Sequence, residues 1–405
     1  MSSHTSDHAS HMERIAQALG KVTAESDNFM SGDLEARHRL VSRAGELVSA
    51  AETPFESLLW NIWALPTRIV AARIAVDLKI FETVMCDGGR PKSTEELATP
   101  TGASPTLVKR IAKACVSMNM LDEHGPGLYV PNDLTKLMSK PEYAAGVIFN
   151  FDMNQSLFSH MPAYLRNTKF QNPDDPLNGP FQYANQSGSM FTWLADHPEV
   201  FHAFHLYLRT LRTYRPSWMD MYPVQKHLVE GLNVDGDASA FVDIGGSTGQ
   251  MLEEFRDRVP EYKGRLVLQD TSDVISAAAA GLGNDTRIEL QVHDFFAPQP
   301  IKGARAYFMH FILHDWPDDR CREILGHLRD AMEPGYSKIL IGECIVADQK
   351  AAWQHVALDL FMMAQVSSHE RTEGEWRTLL ESCGLKIAGI YTKGEGNEGL
   401  IEVVV

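Results

Sequence analysis

The sequence predicts a three-layer α/β domain in its C-terminal part, preceded by an all-helical region that carries a winged-helix pattern. From Ala240 onward, short β-branched or apolar runs alternate with helical segments: AFVDIG, RLVLQD, IELQVHDF, ARAYFMHF, SKILIGECIV, LKIAGIYT and LIEVVV. Strands that alternate with helices build parallel βαβ units, with helices covering both faces of the sheet. Before residue 142 the apolar residues recur at helical spacing instead, and a helix, turn, helix, hairpin order follows over residues 67–138.

Taken in order, Ile15, Leu19 and Val22, then Leu40, Val41, Leu47 and Val48, predict helix from about Ser10 to Ala51. The preceding polar stretch, with His4, His8 and His11, reads as a frayed tail rather than a metal site. Thr67 to Val84 carries a broad apolar face and reads as one helix. Ser93 followed by Glu96 has capping-box spacing, and Ser104-Pro105 marks a second helix start. MNMLDE, a GPG turn and LYVPND then read as a hairpin wing. Residues 142–240 look mainly helical, with aromatics such as Phe149, Phe158, Phe181 and Trp193 that serve as core or line an apolar pocket. The expected division is 1–150 helical and winged-helix, 151–239 helical linker and pocket region, and 240–405 catalytic.

Composition narrows the function classes. A chain of 405 residues with 44% hydrophobic content has ample material for a core. A net charge of -16 repels phosphate backbones, so no nucleic-acid partner is expected. No apolar run is long enough to span a bilayer, and the N-terminus lacks a secretory h-region, so a cytoplasmic protein without a membrane partner is expected. Five cysteines scattered singly read as free thiols.

The first strand of the α/β region ends in Phe241-Val242-Asp243-Ile244-Gly245-Gly246-Ser247-Thr248-Gly249. A glycine-rich turn between a strand and a helix lets backbone approach a ligand where a side chain would clash. The loop matches neither G-x-G-x-x-G nor GK[ST], so dinucleotide and nucleotide-triphosphate ligands are disfavoured. The second strand delivers Asp270, placed to accept from both hydroxyls of a ribose, and the third delivers Asp294. Acids at three strand ends would repel a pyrophosphate. They suit an adenosine ligand without phosphates, carrying a sulfonium and an amino group. The bland alternative is a tight turn with no ligand, which the two later acids argue against.

The fourth strand is expected to run through Tyr307 to Leu313 and to deliver His314 to the crevice at the strand ends. Glu343 ends the fifth strand and Glu370 lies in SSHERTEGEW. Histidine has an ordinary pKa near 6.5 and can take a proton from a phenol, whose value lies near 10. A neighbouring carboxylate would orient the ring, which makes Glu343 and Glu370 candidates. Asp315 reads as a local cap or ring-packing residue, and Asp318, Asp319 and Arg320 as a solvated helix start. No acidic cluster with metal-ligand spacing stands out beyond the strand-end acids, so no metal is expected.

FVDIGGSTG, LQDTSDVI, HDFF, FILHDWPDD, IGECI and HERTEGEW together resemble the plant and fungal small-molecule O-methyltransferases of the caffeic-acid and flavonoid type. The resemblance covers nearly the whole chain after residue 40. It implies a Rossmann-like class I methyltransferase domain behind a helical dimerisation domain, a homodimer, and S-adenosyl-L-methionine as cofactor. It implies transfer without metal to a hydroxyl of a small aromatic secondary metabolite of phenolic or polyketide type. Position by position, Gly245 and Gly246 match the methionine end of the cofactor site, and Asp243 is a further cofactor-binding candidate. Asp270 matches the ribose ligand, and Asp294 and Phe295 flank the adenine. His314 matches the base, with Glu343 and Glu370 as its acids. Phe311, Phe361 and Gln365 match acceptor-pocket positions. His310 stands where relatives often place lysine or arginine beside the cofactor, and LQDTSD replaces the usual DLP. Two other classes compete: an enzyme of this fold that binds the cofactor yet catalyses a pericyclic reaction, and a winged-helix DNA regulator. The base and both acids in place favour methylation. Lys109, Arg110 and Lys113 are too few cations in an acidic chain for the regulator.

Overall fold

The computed structural model describes residues 2–33, 35–211, 215–282, 287–394 and 396–405. The chain divides into two compact units, Met1–Gln155 with His197–Thr213, and Ser156–Asp196 with Tyr214–Val405.

The first unit is mainly helical. Helices Ser2–Met30 and Ala36–Ala51 pack on each other, so helix begins well before Ser10 and breaks after Met30, where Gly32 takes φ +104°. The side chains of His4 and His8 lie outside the described residues. The expected helix over 67–84 is two, Leu65–Asp77 and Ile80–Met85. The chain turns between them at Lys79, with φ +53°, and the turn seats Ile80, Phe81 and Val84 fully in the core. Ser93 and Glu96 form the expected capping box on helix Thr94–Ala98. Helix Pro105–Ser117 begins after Ser104 as anticipated, although the Ser104 side chain makes no capping bond. Strands β1 (Lys92–Ser93), β2 (Asp122–Gly125) and β3 (Leu128–Val130) form an antiparallel sheet in the order β1-β3-β2. Val108, Ala112 and Cys115 from one face of the helix meet Leu121 and Tyr129 in a shared core.

The second unit holds a seven-stranded sheet. Its strands are β4 (Phe241–Ile244), β5 (Leu266–Asp270), β6 (Ile288–Val292), β7 (Ala306–His310), β8 (Lys338–Glu343), β11 (Lys386–Thr392) and β12 (Gly399–Val404), in the order β11-β12-β8-β7-β4-β5-β6. The short strands β9 (Ile345–Val346) and β10 (Arg371–Thr372) pair separately. All seven runs read from the sequence are strands of this sheet. The pairs among β4, β5, β6, β7 and β8 are parallel, whereas β12 runs antiparallel to β8 and β11 to β12. The connection from Thr392 to Gly399 is too short for a crossover, so the last two strands must reverse.

Side chains alternate across the sheet. Val242, Ile244, Tyr307, Met309, Ile339 and Ile341 enter one core, closed by helices Asp318–Arg329 and Glu373–Ser382. Phe241, Leu266, Leu268, Phe308 and Leu340 enter the other, where Trp218 lies against Phe241, Phe255 and Phe308. Both faces are therefore covered. Ligand access falls to the carboxyl ends of the parallel strands, the usual binding edge of such sheets.

Candidate active site

Strand β4 is buried throughout, and the chain leaves it through Gly245, with φ +67°. A Cβ on Gly245 would sit 2.6 Å from Ile312 Cδ1 and 3.8 Å from Phe295 Cε1. A Cβ on Gly246 would sit 2.4 Å from the carboxylate of Asp243, which lies beneath the loop at 1% exposure. These two positions hold open a cradle that any side chain would fill. Asp270, at the end of β5, accepts the Ser247 N–H at 2.9 Å and the Thr271 N–H at 2.8 Å, one on each oxygen. The Thr271 hydroxyl also donates to the Thr271-bonded oxygen, at 3.4 Å, and the oxygen bonded to Ser247 keeps a lone pair for a further donor. Asp294 is not in a strand: β6 stops at Val292, and Asp294 caps the following turn by accepting the Phe296 N–H at 2.9 Å. Phe295 packs with Phe296 and Trp316. The glycine cradle, the strand-end acid and the aromatic wall fit an uncharged adenosine with a cationic tail.

The fourth strand ends earlier than the sequence suggests. β7 stops at His310, Phe311 takes φ +53°, and Leu313–Asp315 form a 3₁₀ turn that carries His314. Glu343, fully buried at the end of β8, holds this turn from its N–H side. Its Oε1 accepts from the backbone N–H of Ile312 at 3.0 Å, Leu313 at 2.9 Å and His314 at 3.3 Å.

His314 is 7% exposed, and its Nδ1–H donates to Glu370 Oε1 at 2.7 Å. The donor is assigned because an ionised carboxylate can only accept. Glu343 Oε2 lies 3.9 Å from the same nitrogen, and Asp315 Oδ1 lies 3.5 Å from Nε2. Burial alone would lower the imidazole pKa. The carboxylates of Glu343, Asp315 and Glu370 outweigh it and hold the ring above its ordinary value. Burial pushes the Glu343 carboxyl up, opposed by His314. The Oε2 atoms of Glu343 and Glu370 are buried and have no hydrogen-bond partner among the described residues. His314, Glu343 and Glu370 each present a ligand atom within 4.8 Å of the others, a grouping that could hold a metal ion.

Other predicted residues take different surroundings. His310 Nε2 bonds Glu398 Oε1 at 2.9 Å, and Arg215 holds the other oxygen at 3.2 Å. Phe311 lies between the two histidines, 4.7 Å from the His310 ring centre and 5.0 Å from that of His314. Phe361 and Gln365 share a face of helix Trp353–Val366, which packs on the His314 turn, and the Phe361 ring meets Phe158 at 5.0 Å.

Four participants have surroundings that the sequence does not show. Asp315 stands beside the second ring nitrogen, its Oδ1 3.5 Å from Nε2. Asp318 is bonded to the buried Arg371, and Arg320 lies over the Phe296 ring, so neither is simply solvated. Glu398 comes from the loop before the last strand, with no local signal near it. The i to i+1 acid beside His314 was the one visible cue.

Residues 224–386 match the O-methyltransferase domain, and residues 68–141 match the O-methyltransferase dimerisation domain. Methyltransferase cfoC of Aspergillus candidus is 34% identical over 95% of this chain and 94% of its own length. O-methyltransferase asqD of Emericella nidulans is 37% identical over 83% of this chain and 86% of its own. Among solved structures, LepI in complex with SAM is 29% identical, with a TM-score of 0.85 over 96% of this chain and 98% of that one. A structure described as a pericyclic reaction enzyme is also 29% identical, with a TM-score of 0.83 over 97% of this chain and 99% of that one. The helical dimerisation domain, the α/β domain and these likenesses lead to one conclusion: the chain belongs to the S-adenosylmethionine-dependent O-methyltransferase family.

Proposed function

We propose that this enzyme methylates a hydroxyl of a small aromatic acceptor, of the phenolic or polyketide type made as secondary metabolites, with His314 as general base. The observation that carries the reading is the buried His314–Glu370 hydrogen bond of 2.7 Å at the carboxyl edge of the sheet. Bound S-adenosylmethionine supplies an electrophilic methyl group on a positive sulfonium. Asp243, Gly245, Gly246, Asp270, Asp294, Phe295 and His310 would hold it, and Phe311, Phe361 and Gln365 would line the acceptor side. Glu370 fixes the tautomer with hydrogen on Nδ1, which leaves Nε2 to take the acceptor proton. The surrounding carboxylates move the proton affinity of the ring toward that of a phenol, about 10. They also stabilise the imidazolium formed. Glu343 sets the turn on which the ring stands.

The test is incubation with cofactor labelled on its methyl group and a panel of phenols and hydroxylated aromatic polyketides. Label should pass to the acceptor oxygen. The likeness to a pericyclic reaction enzyme favours a second reading, in which the cofactor is bound but not consumed. Tight cofactor binding with no label transferred over the whole panel would select it.

The dimerisation domain, which we read as a winged helix, supports a homodimer. The segment just before that domain supports this too: Phe55, Ile62 and Trp63 are 66%, 53% and 66% exposed there. Five free cysteines suit a reducing, cytoplasmic setting, and among the described residues no helix is long and apolar enough to cross a membrane.

A further inference from the structure

We propose that Arg371 is a positioning residue for the base: it fixes the carbonyl side of the His314 turn and thereby sets the contact between His314 and Glu370. The proposal deepens the reading of His314 as base and rests on it.

The argument begins with the backbone groups of a short turn. A buried turn must satisfy both its N–H and its C=O groups. Glu343 takes the N–H groups of Ile312, Leu313 and His314. Arg371 takes the carbonyls: its Nη1–H donates to Leu313 O at 3.1 Å, and its Nη2–H donates to Trp316 O at 2.9 Å. Leu313, directly before the base, is thus held at its N–H by one charged side chain and at its C=O by another. The Cys321 thiol also donates to Leu313 O, at 3.2 Å, and Ser368 Oγ donates to Trp316 O at 2.9 Å.

Arg371 is itself fixed. It is 1% exposed, its guanidinium carbon lies 5.2 Å from the Trp376 ring centre, and Asp318 Oδ1 accepts from Nε at 3.0 Å and Nη2 at 2.8 Å. Arg371 also begins β10, which pairs with β9, Arg371 opposite Ile345. Glu370 stands one residue before β10 and Glu343 two residues before β9. One guanidinium therefore ties the segment carrying Glu370 to the turn carrying His314, while the β9–β10 pair ties Glu370 to the strand carrying Glu343. A fork with five donors in fixed geometry can span two carbonyls and a carboxylate at once, which a lysine ammonium cannot reproduce.

The test needs no known acceptor for its main readout. Full-length enzyme is labelled on its histidine rings, and the His314 signal, assigned by its loss in His314→Gln, is titrated by NMR in wild type, Arg371→Lys and Asp318→Asn. The wild-type ring should titrate above the ordinary value. Arg371→Lys should move the midpoint toward the ordinary value, and Asp318→Asn should move it the same way by less. With any phenol turned over in the panel as probe, Arg371→Lys should lower kcat per folded site by about 10²-fold. The Kd for S-adenosylhomocysteine should stay within about twofold of wild type, and no further loss should appear in a His314→Gln background.

A purely structural arginine would lower the melting temperature and the folded fraction but leave the midpoint and kcat per folded site unmoved, and that result overturns the proposal. Should Arg371→Lys fail to fold, an unmoved midpoint in Asp318→Asn overturns it. A His314→Gln enzyme with wild-type turnover removes the base itself. An inactive His314→Gln beside a silent Arg371→Lys removes only the positioning role.

Discussion

His314 Nδ1 and Glu370 Oε1 are 2.7 Å apart although 56 residues separate them in the chain. Both groups are buried, so the bond is shielded from competing water. It also commits the ring to one tautomer, with Nε2 directed away from Glu370. Replacing His314 by Gln keeps a polar side chain of similar reach but removes the proton acceptor. Turnover should drop by about 10²–10⁴-fold, the range for loss of a general base. Calorimetric affinity for S-adenosylhomocysteine should be nearly unchanged. Turnover within a few fold of wild type would remove the proposed chemistry.

The carboxylates around His314 give a pH prediction with a definite sign. The base works unprotonated, so kcat/KM should rise with pH through the imidazole pKa. Because that pKa lies above its ordinary value, the acid limb of the wild-type profile should lie above pH ~6.5. Glu370→Gln removes one of the charges that raise it. The limb should then move to lower pH while the plateau falls, since the ring also loses its orienting bond. A limb that stays in place would show that another group titrates.

Gly245 offers a test on the cofactor side. A left-handed residue with a side chain costs about 1–2 kcal/mol, and the added methyl would press on Ile312 at 2.6 Å. Ile312 N–H is bonded to Glu343 in the His314 turn. Gly245→Ala should therefore weaken binding of S-adenosylhomocysteine by calorimetry and lower kcat as well, with a lowered melting temperature. Wild-type affinity would mean that the cofactor does not use this cradle.

Much of this site could be read from the chain because its parts sit next to strand signals. Gly245, Asp270 and Glu343 each follow a short apolar run whose end locates them at one edge of a parallel sheet. Glu370 lacks such a strand signal, and the chain offers it only as an acid in the SSHERTEGEW segment that the family likeness then supports. What stayed hidden depends on how loops close. Asp318 looks like any acid in a first helical turn, and only its bond to a guanidinium from the 371 segment separates it from its exposed neighbours. The same holds for Glu398, whose partners His310 and Arg215 come from 88 and 183 residues away. The break at Lys79 was missed because the apolar pattern runs through it unbroken, and burial of Ile80 and Phe81 favours two helices over one.

The grouping of His314, Glu343 and Glu370 has the composition of a metal site, which makes metal dependence a sharp question. Glu343 already accepts three backbone N–H groups on one oxygen, and Glu370 is committed to the imidazole. A metal taking His314 Nδ1 would displace the Glu370 bond that orients the ring. Treatment with a chelator, followed by dialysis, should therefore leave methyl transfer to the probe phenol unchanged. Activity lost on chelation and restored by a divalent ion would reassign the three residues as ligands.

The exposed segment that includes Phe55, Leu58, Ile62 and Trp63 gives a prediction about assembly. These side chains are 66%, 51%, 53% and 66% exposed, and they lie within a helix and the π-helical turn that follows it. Contiguous exposed apolar groups of this kind mark a contact surface, because burying large aromatic rings contributes strongly to association. In sedimentation velocity the wild-type chain should run as a dimer, and Phe55→Ser with Trp63→Ser should shift it toward monomer. The Thr53–Glu56 capping box at the start of the helix is untouched by these changes, so far-ultraviolet circular dichroism should be retained. A wild-type chain that sediments as a monomer at micromolar concentration would refute the homodimer, and a double variant that stays dimeric would move the interface to another face of the helical unit.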